Sequence, residues 1–188
     1  MTFSGRRASQ HPDELAEFIA LMQCEGVRSY LEIGARHGDT FHEVALNLHT
    51  PSVMAAVDLP GGNWGVRTSQ SHLDRAAESC RDMGHNIALM LGDSRSKDVI
   101  SMVEGYGPFD AALIDGDHLY DGVKADWLNY GPMAHIVAFH DIAGDGVLQK
   151  SSKLPVEVPR LWNEIKGGFR HVEIVAPGST MGIGVIWR

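Results

Sequence analysis

Short apolar runs in this chain end, one after another, on a carboxylate, a glycine or a histidine, and each gives way to a stretch with helical periodicity. Arg28 to Ile33 runs into a glycine turn, Val53 to Val57 stops at Asp58, and Ile87 to Leu91 leads into Gly92-Asp93-Ser94. Phe109 to Ile114 meets Asp115, and Ile136 to Phe139 ends at His140-Asp141. Apolar runs of this length, bounded by turn residues, read as strands buried on both faces. The intervening stretches carry helical stripes. Leu15, Phe18, Ile19 and Met22 follow Pro12 and end near Gly26; Phe41, Val44, Ala45 and Leu48 follow Asp39-Thr40. Further helices are expected over 69–83, 97–104, 120–130 and 157–165.

Strands that alternate with helices run parallel, because right-handed crossovers bring each strand back in the same direction and lay helices on both faces. The closing runs, Val172 to Val175 and Gly182 to Trp187, have no helix between them and read as an antiparallel pair. The expectation is therefore an α/β, Rossmann-like, doubly wound and mostly parallel seven-stranded sheet, with a C-terminal antiparallel strand pair and helices on both faces.

A length of 188 residues suits one domain spanning 1–188, with 1–11 as an N-terminal arm. Lys and Arg total 16 against 24 Asp and Glu, a formal charge of -8, and the basic groups Arg6-Arg7 and Lys150 to Lys153 are short. A nucleic-acid binder would carry a basic stripe, so none is expected as partner. Cys24 and Cys80 form no Cys-x-x-Cys pair, which excludes a zinc ribbon or disulfide scaffold and suits a reducing cytoplasm. With no apolar leader and no run of about 20 apolar residues, the sequence predicts a soluble cytoplasmic protein with no membrane partner. A homo-oligomer stays open.

In doubly wound sheets ligands bind beyond the carboxyl ends of the strands, at the switch point. The residues at those ends are Glu32, Gly34, Asp58, Asp93, Asp115, Asp117, His118, His140 and Asp141. A purely structural sheet has little reason to gather so many acids and histidines on one rim. The turn from Glu32 to Gly38 is Gly-x-x-x-Gly, not the Gly-x-Gly-x-x-Gly that cradles a dinucleotide pyrophosphate. Asp58 follows roughly 20 residues on, where a carboxylate can accept both ribose hydroxyls. An adenosine-containing ligand without a pyrophosphate fits both features. Trp64, between Gly62 and Gly65, is an aromatic able to stack on cofactor or substrate.

The stretches LEIGARHGDT (31–40), AAVD (55–58), LGDS (91–94), FDAALIDGDHLYDGVKADW (109–127) and VAFHD (137–141) resemble class I S-adenosylmethionine-dependent methyltransferases. The IDGDH stretch and the later His-Asp pair narrow the resemblance to O-methyltransferases of the family-24, macrocin and catechol type. It implies that Glu32, Gly34 and Gly38 line the methionine and ribose parts of S-adenosylmethionine and that Asp58 takes the ribose hydroxyls. Asp93, with Ser94 beside it, takes the adenine amino group. In metal-dependent relatives a divalent cation is held after the fourth and fifth strands. The matching residues here are Asp115, His140 and Asp141, with Mg²⁺ favoured and Mn²⁺ next. Two close carboxylates repel when both are ionised, and a hard cation both relieves that and activates a hydroxyl. His118 stands where catechol-type enzymes carry a lysine base, and with Asp115 it forms the expected catalytic pair. The implied reaction is O-methylation of a small hydroxylated acceptor: a natural product, sugar or phenol. Two other classes compete: a metal-dependent hydroxylase or hydrolase built on Asp115, His118, His140 and Asp141, and a non-catalytic nucleotide-binding module.

Overall fold

Side chains alternate across β1 (Ser29–Ile33), and that alternation divides the molecule into two layers. Tyr30 packs with Phe18, Phe41, Val44, Met54 and Leu73 on one face of the sheet. Leu31 and Ile33 pack with Val99, Phe109, Val137 and Trp162 on the other. The first layer is covered by α1 (Pro12–Cys24), α2 (Asp39–Asn47) and α3 (Gln70–Asp82), the second by α4 (Lys97–Glu104), α5 (Tyr120–Tyr130) and α6 (Val158–Ile165). Phe18 and Phe41 are wholly buried, and each contributes about 1.5–3 kcal/mol of transfer free energy. The computed structural model describes residues 8–50, 52–62, 64, 70–144, 146–149 and 152–188. Most of the expected N-terminal arm with Arg6-Arg7, the loop residues 65–68, the expected helix start at Ser69, and Lys150 lie outside the described residues.

The remaining strands are β2 (Val53–Asp58), β3 (Asn86–Leu91), β4 (Phe109–Ile114), β5 (Ala134–His140), β6 (Arg170–Ile174) and β7 (Ile183–Trp187). They form one seven-stranded sheet in the order β3-β2-β1-β4-β5-β7-β6. The pairs β1–β2, β1–β4, β2–β3 and β4–β5 are parallel, and β7 runs antiparallel to both β5 and β6. The chain winds outward from β1 to β3, then restarts at β4 on the other side of β1. The exits of β1 and β4 thus diverge, which leaves the crevice of a topological switch point. This is the expected fold.

β6 starts two residues before the expected Val172 and ends at Ile174. It is an edge strand with solvent on one side, so its polar residues hide its start from a hydrophobic pattern. Arg170 lies over the Trp187 ring at 4.2 Å, a cationic guard of the kind that blunts an exposed edge. Glu14 on α1 is buried, and its two oxygens accept from Ala176 N (2.9 Å) and Gly182 N (3.0 Å). That carboxylate ties α1 to the turn between β6 and β7, which satisfies two amides that burial would otherwise leave bare. No helix among the described residues is long and apolar enough to cross a membrane.

Candidate functional site

A cavity of about 700 Å³ opens at the exits of β1, β2 and β4, above the switch point. Its floor begins at Gly34, with φ +91° and its amide bonded to Val57 O at 2.8 Å. A Cβ at Gly34 would stand 2.3 Å from the Asp115 carbonyl oxygen. The sequence suggests a glycine that keeps space for a ligand; the structure fills that space with the backbone leaving β4. Gly38, with φ +78°, caps α2, and a Cβ there would lie 2.7 Å from Ala76 Cβ on α3. It packs two helices together and does not line the cavity.

Asp58 ends β2 beside this turn. Its Oδ1 accepts from the Arg36 amide at 2.8 Å, and its Oδ2 is buried with no protein partner among the described residues. An unsatisfied buried acceptor costs about 1–3 kcal/mol, which a ligand hydroxyl would recover. Burial raises its pKa to about 6, partly offset by the Arg36 amide bond and the Arg36 charge. Glu32 points into the same floor and accepts the Tyr30 hydroxyl at 2.8 Å. Burial chiefly, with Tyr30 acting the other way and Asp115, Asp58 and Asp39 adding repulsion, pushes Glu32 to about 8. Such an acidic floor suits the cationic part of a ligand.

At the far end, Asp93 accepts the Arg95 amide (2.9 Å), Nε (3.0 Å) and Nη2 (3.0 Å). A carboxylate offers about four acceptor sites, so one remains for an amino group. The Ser94 hydroxyl donates to Asp126 Oδ1 at 2.6 Å. Both Asp93 and Ser94 line the cavity.

Asp115, His118, His140 and Asp141 come together at the exits of β4 and β5, as a ring of alternating acids and imidazoles. His140 Nδ1 lies 3.0 Å from Asp115 Oδ1 and 3.4 Å from Asp141 Oδ1. His118 Nδ1 lies 2.9 Å from Asp141 Oδ2, with its Nε2 3.9 Å from Asp115 Oδ1. The second Asp115 oxygen accepts Gln10 Nε2 at 2.8 Å. Burial alone would discharge His140, but Asp115 and Asp141 reverse this and hold it up at about 9. For Asp141, burial acts upward, yet the His140 charge and the His118 bond lower its pKa overall. Asp141 also holds φ +63°, a left-handed backbone that costs of order 1–3 kcal/mol in a residue with a side chain.

This arrangement gives no support to the expected metal set. Among the described residues no group of three or more His, Cys, Asp or Glu is placed to hold a metal ion. The physical reason lies in the donors. The carboxylates already have protein partners: Asp115 contacts His140 and Gln10, and Asp141 contacts His118 and His140. Asp115, His140 and Asp141 do not fit a resident divalent cation.

Trp64 and Asp117 act together. The Trp64 indole donates to Asp117 Oδ1 at 2.9 Å, and the same oxygen accepts the Leu119 amide at 3.0 Å ahead of α5. The Trp64 ring lies 4.6 Å from that of His118, tilted by 52°. Gln10 was not among the expected site residues. It is buried, takes the Thr40 hydroxyl on its Oε1, and reaches Asp115 with its Nε2. A glutamine beside a polar arm carries no sequence signal of this, beyond standing two residues before a Pro-started helix.

No protein-family model matches the sequence, and no curated protein does. Solved structures do match in fold. An O-methyltransferase from Bacillus cereus in complex with SAH superposes with a TM-score of 0.65 at 17% identity, over 96% of this chain and 83% of that one. The O-methyltransferase TomG from Streptomyces achromogenes, involved in tomaymycin synthesis and in complex with SAM, gives 0.65 at 15%, over 96% and 81%. Cofactor-bound Rv0187 from MTB gives 0.71 at 15%, over 98% and 83%. At such identities the likeness is one of fold, and the fold is the Rossmann-like methyltransferase fold.

Proposed function

We propose that this protein is an S-adenosylmethionine-dependent methyltransferase that methylates a hydroxyl of a small acceptor, without a resident metal. The observation that carries the reading is Asp58 Oδ2, a buried carboxylate oxygen with no partner among the described residues, at the end of β2 in the switch-point cavity. A ribose diol supplies the donors it lacks. When bound, S-adenosylmethionine supplies an electrophilic methyl group on a cationic sulfur. Glu32 and the acids around it favour that positive charge, and the remaining acceptor site of Asp93 suits the adenine amino group. The IDGDH stretch and the His140-Asp141 pair support the narrower family-24, macrocin and catechol kind of O-methyltransferase.

The proton of the acceptor falls to His118. Ionised Asp141 can only accept, so the His118 Nδ1 carries the proton of their bond and Nε2 carries the lone pair. That fixed tautomer is the orienting half of a base–carboxylate pair. After proton transfer the imidazolium stands between two carboxylates. At 3.9 Å from Asp115 Oδ1 the attraction is about 4 kcal/mol gross in a medium of intermediate dielectric. A phenol, a sugar and a natural-product alcohol all present the required hydroxyl.

Calorimetry with S-adenosylhomocysteine, followed by transfer of labelled methyl groups to a panel of hydroxylated acceptors with chelator present, tests the reading. Binding of S-adenosylhomocysteine and turnover in chelator are expected. Preference for NAD over S-adenosylhomocysteine, or turnover only after Mg²⁺ or Mn²⁺ is restored, would overturn it in its cofactor or its metal-free half respectively.

A further inference from the structure

Ser94 is gripped from two sides by a helix that does not itself reach the cavity. Its hydroxyl donates to Asp126 Oδ1 at 2.6 Å, and its carbonyl accepts the Tyr130 hydroxyl at 2.6 Å. Asp126 and Tyr130 are four apart on α5, so both side chains leave the same face one turn from each other. Each is wholly buried. The other carboxylate oxygen of Asp126 has no partner among the described residues and lies behind the loop that leaves β4: a Cβ on Gly116 would sit 3.2 Å from it. Ser94 and Gly116 line the cavity, and Asp126 stands behind both.

A buried carboxylate with one satisfied oxygen is a costly way to attach a helix to a sheet; an apolar residue of similar size does that better. What an apolar residue cannot do is fix a serine hydroxyl. The exit loops of β3 and β4 form the two walls between which the far end of the cavity is set, and α5 is the element that touches the back of both. We infer that Asp126 and Tyr130 are positioning residues for the adenine end of the cofactor, acting through Ser94. The inference rests on the methyltransferase reading above. By holding the Ser94 hydroxyl and carbonyl, the pair fixes the backbone that carries Asp93 and sets the slot width. The bond to Ser94 needs an acceptor oxygen at position 126, not a charge. Burial, with Asp117 and Asp93 adding to it and Ser94 and Arg95 opposing, raises Asp126 to about 7, so the acid is readily neutral in place.

The test compares Asp126→Ala, Asp126→Asn and Tyr130→Phe with the wild type, by calorimetry with S-adenosylhomocysteine and by steady-state kinetics. Asp126→Ala is expected to weaken binding about tenfold and to raise KM for S-adenosylmethionine by the same factor, with kcat within threefold of the wild type. Asp126→Asn keeps the acceptor for Ser94 and should restore affinity to within threefold. Tyr130→Phe, which removes one oxygen and no packing volume, should weaken binding about threefold even if Asp126→Ala fails to fold. Wild-type affinity in both Asp126→Ala and Tyr130→Phe would overturn the positioning role, as would a fall in kcat with KM unchanged. Failure of the wild type itself to bind S-adenosylhomocysteine would instead overturn the cofactor reading.

Discussion

His118 and Asp141 meet across 2.9 Å at the exits of neighbouring strands, and the direction of their bond is settled by the acid. Asp141 is held ionised by the His140 charge and by His118 itself, against the burial that opposes it. It therefore accepts, His118 Nδ1 donates, and Nε2 is left as the nitrogen able to take a proton. In the proposed reaction that nitrogen is the base.

Asp141→Asn tests that relationship. The amide can present its NH₂ to Nδ1, which favours the wrong tautomer and puts the proton on Nε2. Since a positioned base contributes roughly 10²–10⁴-fold, kcat should fall within that range. S-adenosylhomocysteine affinity should stay within threefold, because the proposed ribose and adenine contacts come from Asp58 and Asp93. Weakened cofactor binding with unchanged kcat would remove His118–Asp141 from the chemistry.

Asp58→Ala acts at the other end. A hydrogen bond to a charged acceptor is worth about 1.5–3 kcal/mol, so affinity for S-adenosylhomocysteine should fall about 10- to 150-fold. The protein should remain folded, since among the described residues only the Arg36 amide donates to that carboxylate. Calorimetry showing unchanged affinity would mean that the ribose lies elsewhere.

The sheet, its switch point and the rim of acids were legible because each strand is a buried apolar run that stops at a polar residue. Asp58 and Glu32 could be placed on the cavity from that pattern alone. The fate of Asp115, His140 and Asp141 could not, because metal ligands and histidine–carboxylate pairs use the same residue types. Only the 3.0 and 2.9 Å contacts of His140 and His118 separate the two cases. Asp126 was hidden for a different reason: an acid in a helix is usually exposed, and only its four-residue spacing from Tyr130 marks a shared face. Gln10 lay in a polar arm with no periodicity to read.

Gly34→Ala should damage the fold as much as the site, contrary to what the glycine turn suggests in isolation. A Cβ 2.3 Å from Asp115 O must displace backbone, and φ +91° adds the penalty of a left-handed residue with a side chain. The melting temperature without ligand should drop by roughly 5 °C or more, along with S-adenosylhomocysteine binding. A variant that melts like the wild type would show that the β4 exit yields easily and that the turn is less constrained than its contacts imply.

Glu32 ties stability and binding to pH with opposite signs. Its pKa rises on folding from 4.5 to about 8, so between those values the folded state holds a proton that the unfolded state has lost. Stability then falls as pH rises through that window, being full below about 4.5 and lost above about 8. Asp58, raised to about 6, adds a fall of the same sign over a lower range. Glu32→Gln keeps an acceptor for the Tyr30 hydroxyl but cannot ionise, so its melting temperature without ligand should decline less. The gap between variant and wild type should widen by several degrees from pH 5 to pH 8, at roughly 2–4 °C per kcal/mol. The same variant should bind S-adenosylmethionine less well than the wild type, most of all at pH 8, where the wild-type carboxylate is free to meet the ligand's positive charge. Thermal scans at pH 5, 6.5 and 8 showing a constant gap would mean that Glu32 does not hold its proton in the folded, unliganded protein.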